Sequence, residues 1–183
     1  MTVVTEIGVC QAIASNQLPS PTEWMGSWWY AIRFSGVGCI FRAGPQEMAW
    51  REPAVWTSPQ MLMRIRSVPL VLMHPAAGVL DGGELARRVI GCTVYSFIRA
   101  GEPWVIGRVI DREAGKILAT GAFDASPSVV FGAGESVITT AGGVLIEPTP
   151  ALVDHLAVVP LSQGGGVWGV GRGEEPGVIS EAA

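Results

Sequence analysis

Histidine is scarce in this sequence: His74 and His155 are the only two in 183 residues. Charge is scarce too, since Asp, Glu, Lys and Arg make up 15% of the chain, against about 25% in ordinary soluble domains. With 49% hydrophobic residues, such a chain is expected to bury part of its surface against other copies or partners. The net charge is −4 and the basic residues are scattered, which argues against the basic footprint that nucleic-acid binding leaves. Long apolar runs are missing. Segments 68–80 and 144–161 are broken by proline, histidine or acid, short of the ~18 uninterrupted apolar residues of a spanning helix, so no membrane is expected as a partner. The amino end, Met1-Thr2-Val3-Val4-Thr5-Glu6, lacks the positive start of a secretory signal. Cys10, Cys39 and Cys92 form no CxxC pair and read as free thiols in a reducing compartment. The expectation is a soluble, intracellular chain.

What is present is β-rich. Short runs bounded by turn residues recur at 28–34, 38–41, 69–73, 89–98, 103–110, 128–131, 137–146 and 155–161. Many are continuously apolar rather than alternating, the pattern of strands buried on both faces. Helices are expected at 60–66, where Ser58 caps and Pro59 takes the first helical position, and at 81–89 and 111–120, which open on Asp81 and Asp111. This pattern predicts an α+β fold with a mostly antiparallel, barrel-like β core and a few peripheral helices. Residues 1–163 form the expected domain and 164–183 a Gly-rich flexible tail. The tail is no phosphate loop, because no Gly-Lys-Ser/Thr follows its glycines.

The histidines flank Ser126-Pro127-Ser128, giving the order His, Ser, His. A nucleophilic serine needs a base within hydrogen-bond reach, and imidazole suits neutral pH. Each feature alone also has a structural reading. His74 precedes a proline at a strand end, His155 sits in an apolar strand, and Ser126-Pro127-Ser128 with Asp124 before it suits a turn. Two histidines, Cys92 and a carboxylate lack any metal-ligand spacing. The tryptophans, Trp24, Trp28 and Trp29 among them, suit core or interface anchors, with Trp28-Trp29 a candidate subunit contact. Arg64, Arg66, Arg87 and Arg88 suit solvated helix faces.

Three blocks in order carry a family resemblance. They are Arg51-Glu52-Pro53-Ala54-Val55-Trp56 leading to Val68-Pro69-Leu70-Val71-Leu72-Met73-His74-Pro75, then Asp124-Ala125-Ser126-Pro127-Ser128, then Val153-Asp154-His155-Leu156-Ala157-Val158-Val159. Together they resemble the tailed-phage prohead (capsid maturation) serine protease family, which is related to the herpesvirus assemblins. The resemblance spans about two-thirds of the chain, from Arg51 to about Gly165. It implies an assemblin-like fold and a serine endopeptidase with Ser126 as nucleophile, His74 as general base and His155 as the third member orienting His74. Ser128, Asp154, Gln163 and Gly164 would support them, and no cofactor or metal is implied. A neutral third histidine stabilises an imidazolium less than a carboxylate does, so a slow enzyme is expected, unless Asp154 or Glu147 supplies the charge. The implied partners are a phage scaffold protein and the major capsid protein, whose arm is a further candidate substrate, together with self-association. The implied location is the interior of the viral prohead in the bacterial host cytoplasm. The sequence departs from the family in having Gln163 where an arginine usually helps bind the oxyanion, and Ser128 where glycine is usual. No charged helical scaffold segment is visible, and Ile179-Ser180-Glu181-Ala182-Ala183 resembles a cleaved end. The alternative reading is a catalytically inactive structural relative acting in capsid assembly or decoration.

Overall fold

The segment Ser27–Arg33 is buried along almost its whole length because its two faces feed two different cores. Trp29 and Ala31 pack with Val9, Cys10 and Ile13 on one side, while Tyr30 and Ile32 enter the larger core on the other. That double burial is why the run is continuously apolar. The computed structural model describes residues 5–42, 47–121, 123–132, 138–139, 142–160 and 168–169.

The helices are α1 (Glu6–Ala14), α2 (Pro53–Trp56), α3 (Pro59–Arg64), α4 (Gly82–Arg88) and α5 (Arg112–Leu118). The strands are β1 (Thr22–Trp24), β2 (Ser27–Arg33), β3 (Gly38–Arg42), β4 (Glu47–Arg51), β5 (Pro69–Leu72), β6 (Val89–Arg99), β7 (Glu102–Val109), β8 (Phe123–Val130), β9 (Ile138–Thr139), β10 (Leu145–Ile146), β11 (Leu152–Pro160) and β12 (Trp168–Gly169). An eight-stranded sheet runs in the order β1-β2-β7-β6-β5-β11-β8-β12, and a four-stranded one in the order β3-β4-β10-β9. Pairing is antiparallel except between β5 and β11 and between β4 and β10. The fold is therefore α+β with mostly antiparallel sheets and few helices. Among the described residues the hydrogen-bonded ladder runs from β1 to β12 and does not close.

The large sheet wraps one main core. Tyr30, Ile32, Leu70, Val105, Ala125, Leu156 and Val158 from its strands meet Trp56, Met61, Ile65 and Leu118 from the segments around α2, α3 and α5. Three of these helices start where the caps predict. Ser58, Asp81 and Asp111 each accept from a backbone N–H in the first turn, at Met61, Glu84 and Ala114. α1, capped by Thr5, and α2, capped by Glu52, were not foreseen.

Several expectations are corrected. Ser126-Pro127-Ser128 lies inside β8 and not in a turn, and the described residues of the 137–146 run include two short strands, β9 and β10. Trp29 is buried within the chain against Trp24, with ring centroids 5.5 Å apart. Trp28 lies on Gly115, where a Cβ would come within 2.2 Å of its ring. Trp29 thus fills a core position, and the partly buried Trp28 packs on α5. Arg66 and Arg87 are exposed, as expected of solvated faces; Arg87 and Arg88 pair with Glu84, and Arg66 bonds Ser96. Of the expected Gly-rich tail, only Trp168 and Gly169 are among the described residues, where they pair with Ala125 and Asp124. Among the described residues no helix is long and apolar enough to cross a membrane.

Candidate active site

The site is built on an irregularity in β11. Val153 packs on the main core, and so do Leu156 and Val158. Regular alternation would place Val153 and Leu156 on opposite faces. The pairing with β8 shifts register between Val153 and His155, leaving Asp154 as one extra residue in the strand. His155, Ala157 and Val159 are thereby turned to the outer face, where Ala157 and Val159 lie with Val71 under Met73 and Leu80. Without the extra residue His155 would share the face of Val153 and point into the core.

The same irregularity explains a contact between sequence neighbours. Adjacent side chains of a regular strand point apart, yet Asp154 Oδ2 lies 2.7 Å from His155 Nδ1. The same oxygen accepts from the Leu80 backbone N–H at 2.9 Å. His155 is fully buried.

His74 arrives from the neighbouring strand. Met73 N–H still donates to Val158 O at 3.0 Å, but its φ of +63° turns the chain off the sheet, a conformation uncommon for a residue with a Cβ. His74 Nδ1 then stands 2.8 Å from His155 Nε2, with the ring centroids 5.0 Å apart at 60°. Pro75 to Gly78 forms a tight turn, closed by Gly78 N–H donating to Pro75 O at 3.0 Å. Loop 74–80 is pinned over the outer face at two points: Ser128 Oγ donates to Gly78 O at 2.8 Å, and Leu80 is held by Asp154.

Ser126 lies opposite Ala157, and Ser128 opposite His155, in the β8–β11 ladder. Alternation puts both serines on the outer face with His155. Pro127 between them pairs with Leu156, while on the other side of β8 the described β12 residues reach only Asp124 and Ala125. A proline is tolerated in a strand where no neighbour needs its N–H. Ser126 and His74 are partly exposed, whereas His155 is buried. Among the described residues no hydrogen bond joins Ser126 to His74.

Of the expected set, the structure thus joins His74, His155 and Asp154 in one hydrogen-bonded run, sets Ser126 on the same face, and ties Ser128 to the loop backbone. Gln163 and Gly164 lie outside the described residues. Glu147, the other candidate for the negative charge, is committed elsewhere: it is buried against Arg51, with Oε2 2.6 Å from Nε, and against Arg42. The loop's own contributions, Gly78 O and Leu80 N–H, are backbone groups that no side-chain pattern could reveal. Pro75 and Gly78 at the ends of a four-residue turn were the available signal.

Burial, then the neighbouring His155, hold the His74 imidazole down at about 4, so it is neutral at pH 7. A neutral imidazole can take a proton; it offers no fixed positive charge to an anion. Burial raises the Cys10 thiol to about 11 and raises Cys92 as well, which disfavours the thiolate needed for cysteine chemistry. The described residues gather no group of three or more His, Cys, Asp or Glu side chains fit to hold a metal ion. Comparison with protein-family models, with curated proteins and with solved structures finds no match.

Proposed function

We propose that the chain is a serine endopeptidase of the prohead-protease type, related to the assemblins, acting on a phage scaffold protein and on the arm of the major capsid protein inside an immature shell. The observation that carries this reading is the hydrogen-bonded run Asp154–His155–His74 on the sheet face that also bears Ser126. Ser126 and His155 are diagonal neighbours across the ladder, a spacing of about 7–8 Å. That gap suits an intervening imidazole, and His74 stands on the tip of His155. In the reaction, His74 takes the Ser126 proton as the hydroxyl oxygen attacks a peptide carbonyl, then gives it to the departing amine. Water hydrolyses the resulting acyl-serine ester by the same exchange. The neutral state of His74 at pH 7 suits the first step. We extend the reading to a barrel-like, assemblin-like curl of the large sheet. Its support is that β2 and β11 share one core and that β12 lies against β2.

The second reading is a catalytically silent relative that assembles or decorates the shell. What favours it is the missing hydrogen bond between Ser126 and His74. The two readings separate in intact-mass measurements after treatment with a fluorophosphonate probe, which phosphonylates an activated serine with loss of fluoride. One adduct, retained in Ser128→Ala and lost in Ser126→Ala, is the expected result. Folded wild-type protein that gains no adduct would remove the enzyme reading in favour of the structural one.

A further inference from the structure

We infer that Asp154 sets the tautomers of both histidines, so that His74 presents a bare Nε2 toward Ser126. In this role Asp154 is a positioning residue, and its catalytic use rests on the serine-protease reading above. A carboxylate is an acceptor only. With Asp154 Oδ2 at 2.7 Å from His155 Nδ1, the proton of a neutral His155 belongs on Nδ1. Nε2 of that ring then carries a lone pair. Its contact with His74 Nδ1 at 2.8 Å needs a donor, and the donor is the Nδ1–H of His74. One proton per neutral ring leaves His74 Nε2 unprotonated, the state a general base requires. The order of protons along the run therefore follows from one group at its buried end.

The extra residue in β11 makes this possible. It brings the Asp154 carboxylate beside the ring of its own neighbour, and it turns His155 to the outer face, where His74 can reach it. The carboxylate oxygen also accepts the Leu80 N–H, which ties the segment that carries His74 to the group that sets its tautomer. If His155 were instead doubly protonated, it would donate to His74 Nδ1. The His74 proton would move to Nε2 and the base would be lost.

The test is ring-nitrogen NMR of histidine-labelled protein at pH 7, in which a protonated and an unprotonated nitrogen are readily told apart. Only two rings contribute, and His74→Gln assigns them. The expected result is a proton on Nδ1 and none on Nε2 in both rings. In Asp154→Ala, His155 should lose its fixed Nδ1–H form, and the rate of fluorophosphonate labelling should fall about 10²–10⁴-fold, as for a base lost or held in the wrong form. A carboxylate acting only as the tether of Leu80 would leave the ring protons where they are. A proton on Nε2 of His155 in the wild type, or identical tautomers in Asp154→Ala, would overturn the inference. The wild-type spectrum decides even if the variant does not fold. The two expected tautomers in a wild type that gains no adduct would support the tautomer assignment while removing the protease reading and the catalytic use with it.

Discussion

His74 Nδ1 and His155 Nε2 lie 2.8 Å apart, with the half-exposed ring standing on the buried one. The contact has room for one proton between the two nitrogens, with one ring donating and the other accepting. Burial and the presence of His155 lower the His74 value to about 4, so the fold disfavours a charge on His74.

The sign of the pH effect follows. In the unfolded chain a histidine binds its proton near pH 6.5, whereas in the fold His74 resists it down to about pH 4. Between these values the unfolded state holds more protons, so acidification from pH 6.5 toward pH 4 draws the protein toward unfolding. Stability above pH 6.5 is unaffected by this group. Denaturant unfolding across that range should show a weaker decline in His74→Gln than in the wild type. Equal declines would show that His74 titrates normally in the folded protein. Labelling of Ser126 should likewise persist below pH 6.5 in protein that is still folded.

Ser128 and Ser126 share a face and differ in employment. The Ser128 hydroxyl is bonded to Gly78 O, so Ser128→Ala removes one anchor of loop 74–80. A single hydrogen bond of this kind contributes about 1 kcal/mol, which for a chain of this size lowers Tm by about 2–4 °C. The variant should keep its fluorophosphonate adduct. An adduct that disappears in Ser128→Ala and survives in Ser126→Ala would reverse the assignment of the nucleophile.

Glu147 holds the smaller sheet's charge network together. Its side chain is 1% exposed and that of Arg51 8%. Arg51 also bonds Ser35 Oγ at 2.6 Å and lies over the Trp56 ring. Glu147→Ala would leave a buried guanidinium without its partner, at a cost of about 3–5 kcal/mol, and the apolar double variant Arg51→Met with Glu147→Leu should recover most of that loss. Both are measured by chemical denaturation. A Glu147→Ala protein as stable as the wild type would mean that the network is solvated.

Much of the fold was legible because its signals are local. Ser58, Asp81 and Asp111 cap helices where their neighbours allow, since a side-chain oxygen reaches an N–H only two or three residues away. The apolar runs of β2, β7 and β11 were legible as well, since continuous apolarity within a run marks a strand covered on both faces. β8 was harder. Pro127 between two serines has the chemistry of a turn, and it remains in a strand because no neighbour on the described part of that edge calls for the N–H that proline lacks. Met73 was hidden as well, because nothing in a methionine announces a left-handed backbone.

The order His74, Ser126, His155, the residue types fit for serine chemistry and the α+β class were determined by the sequence alone. The extra residue at Asp154 was decided only in three dimensions. It exists because Val153 and Leu156 must both reach the main core, a demand set by β8, β5 and the helices behind them and carried by no residue within β11 itself. From that one shift follow the face on which His155 stands, its contact with Asp154 and its meeting with His74. Side-chain alternation is a property of one strand, but register is a property of a pair.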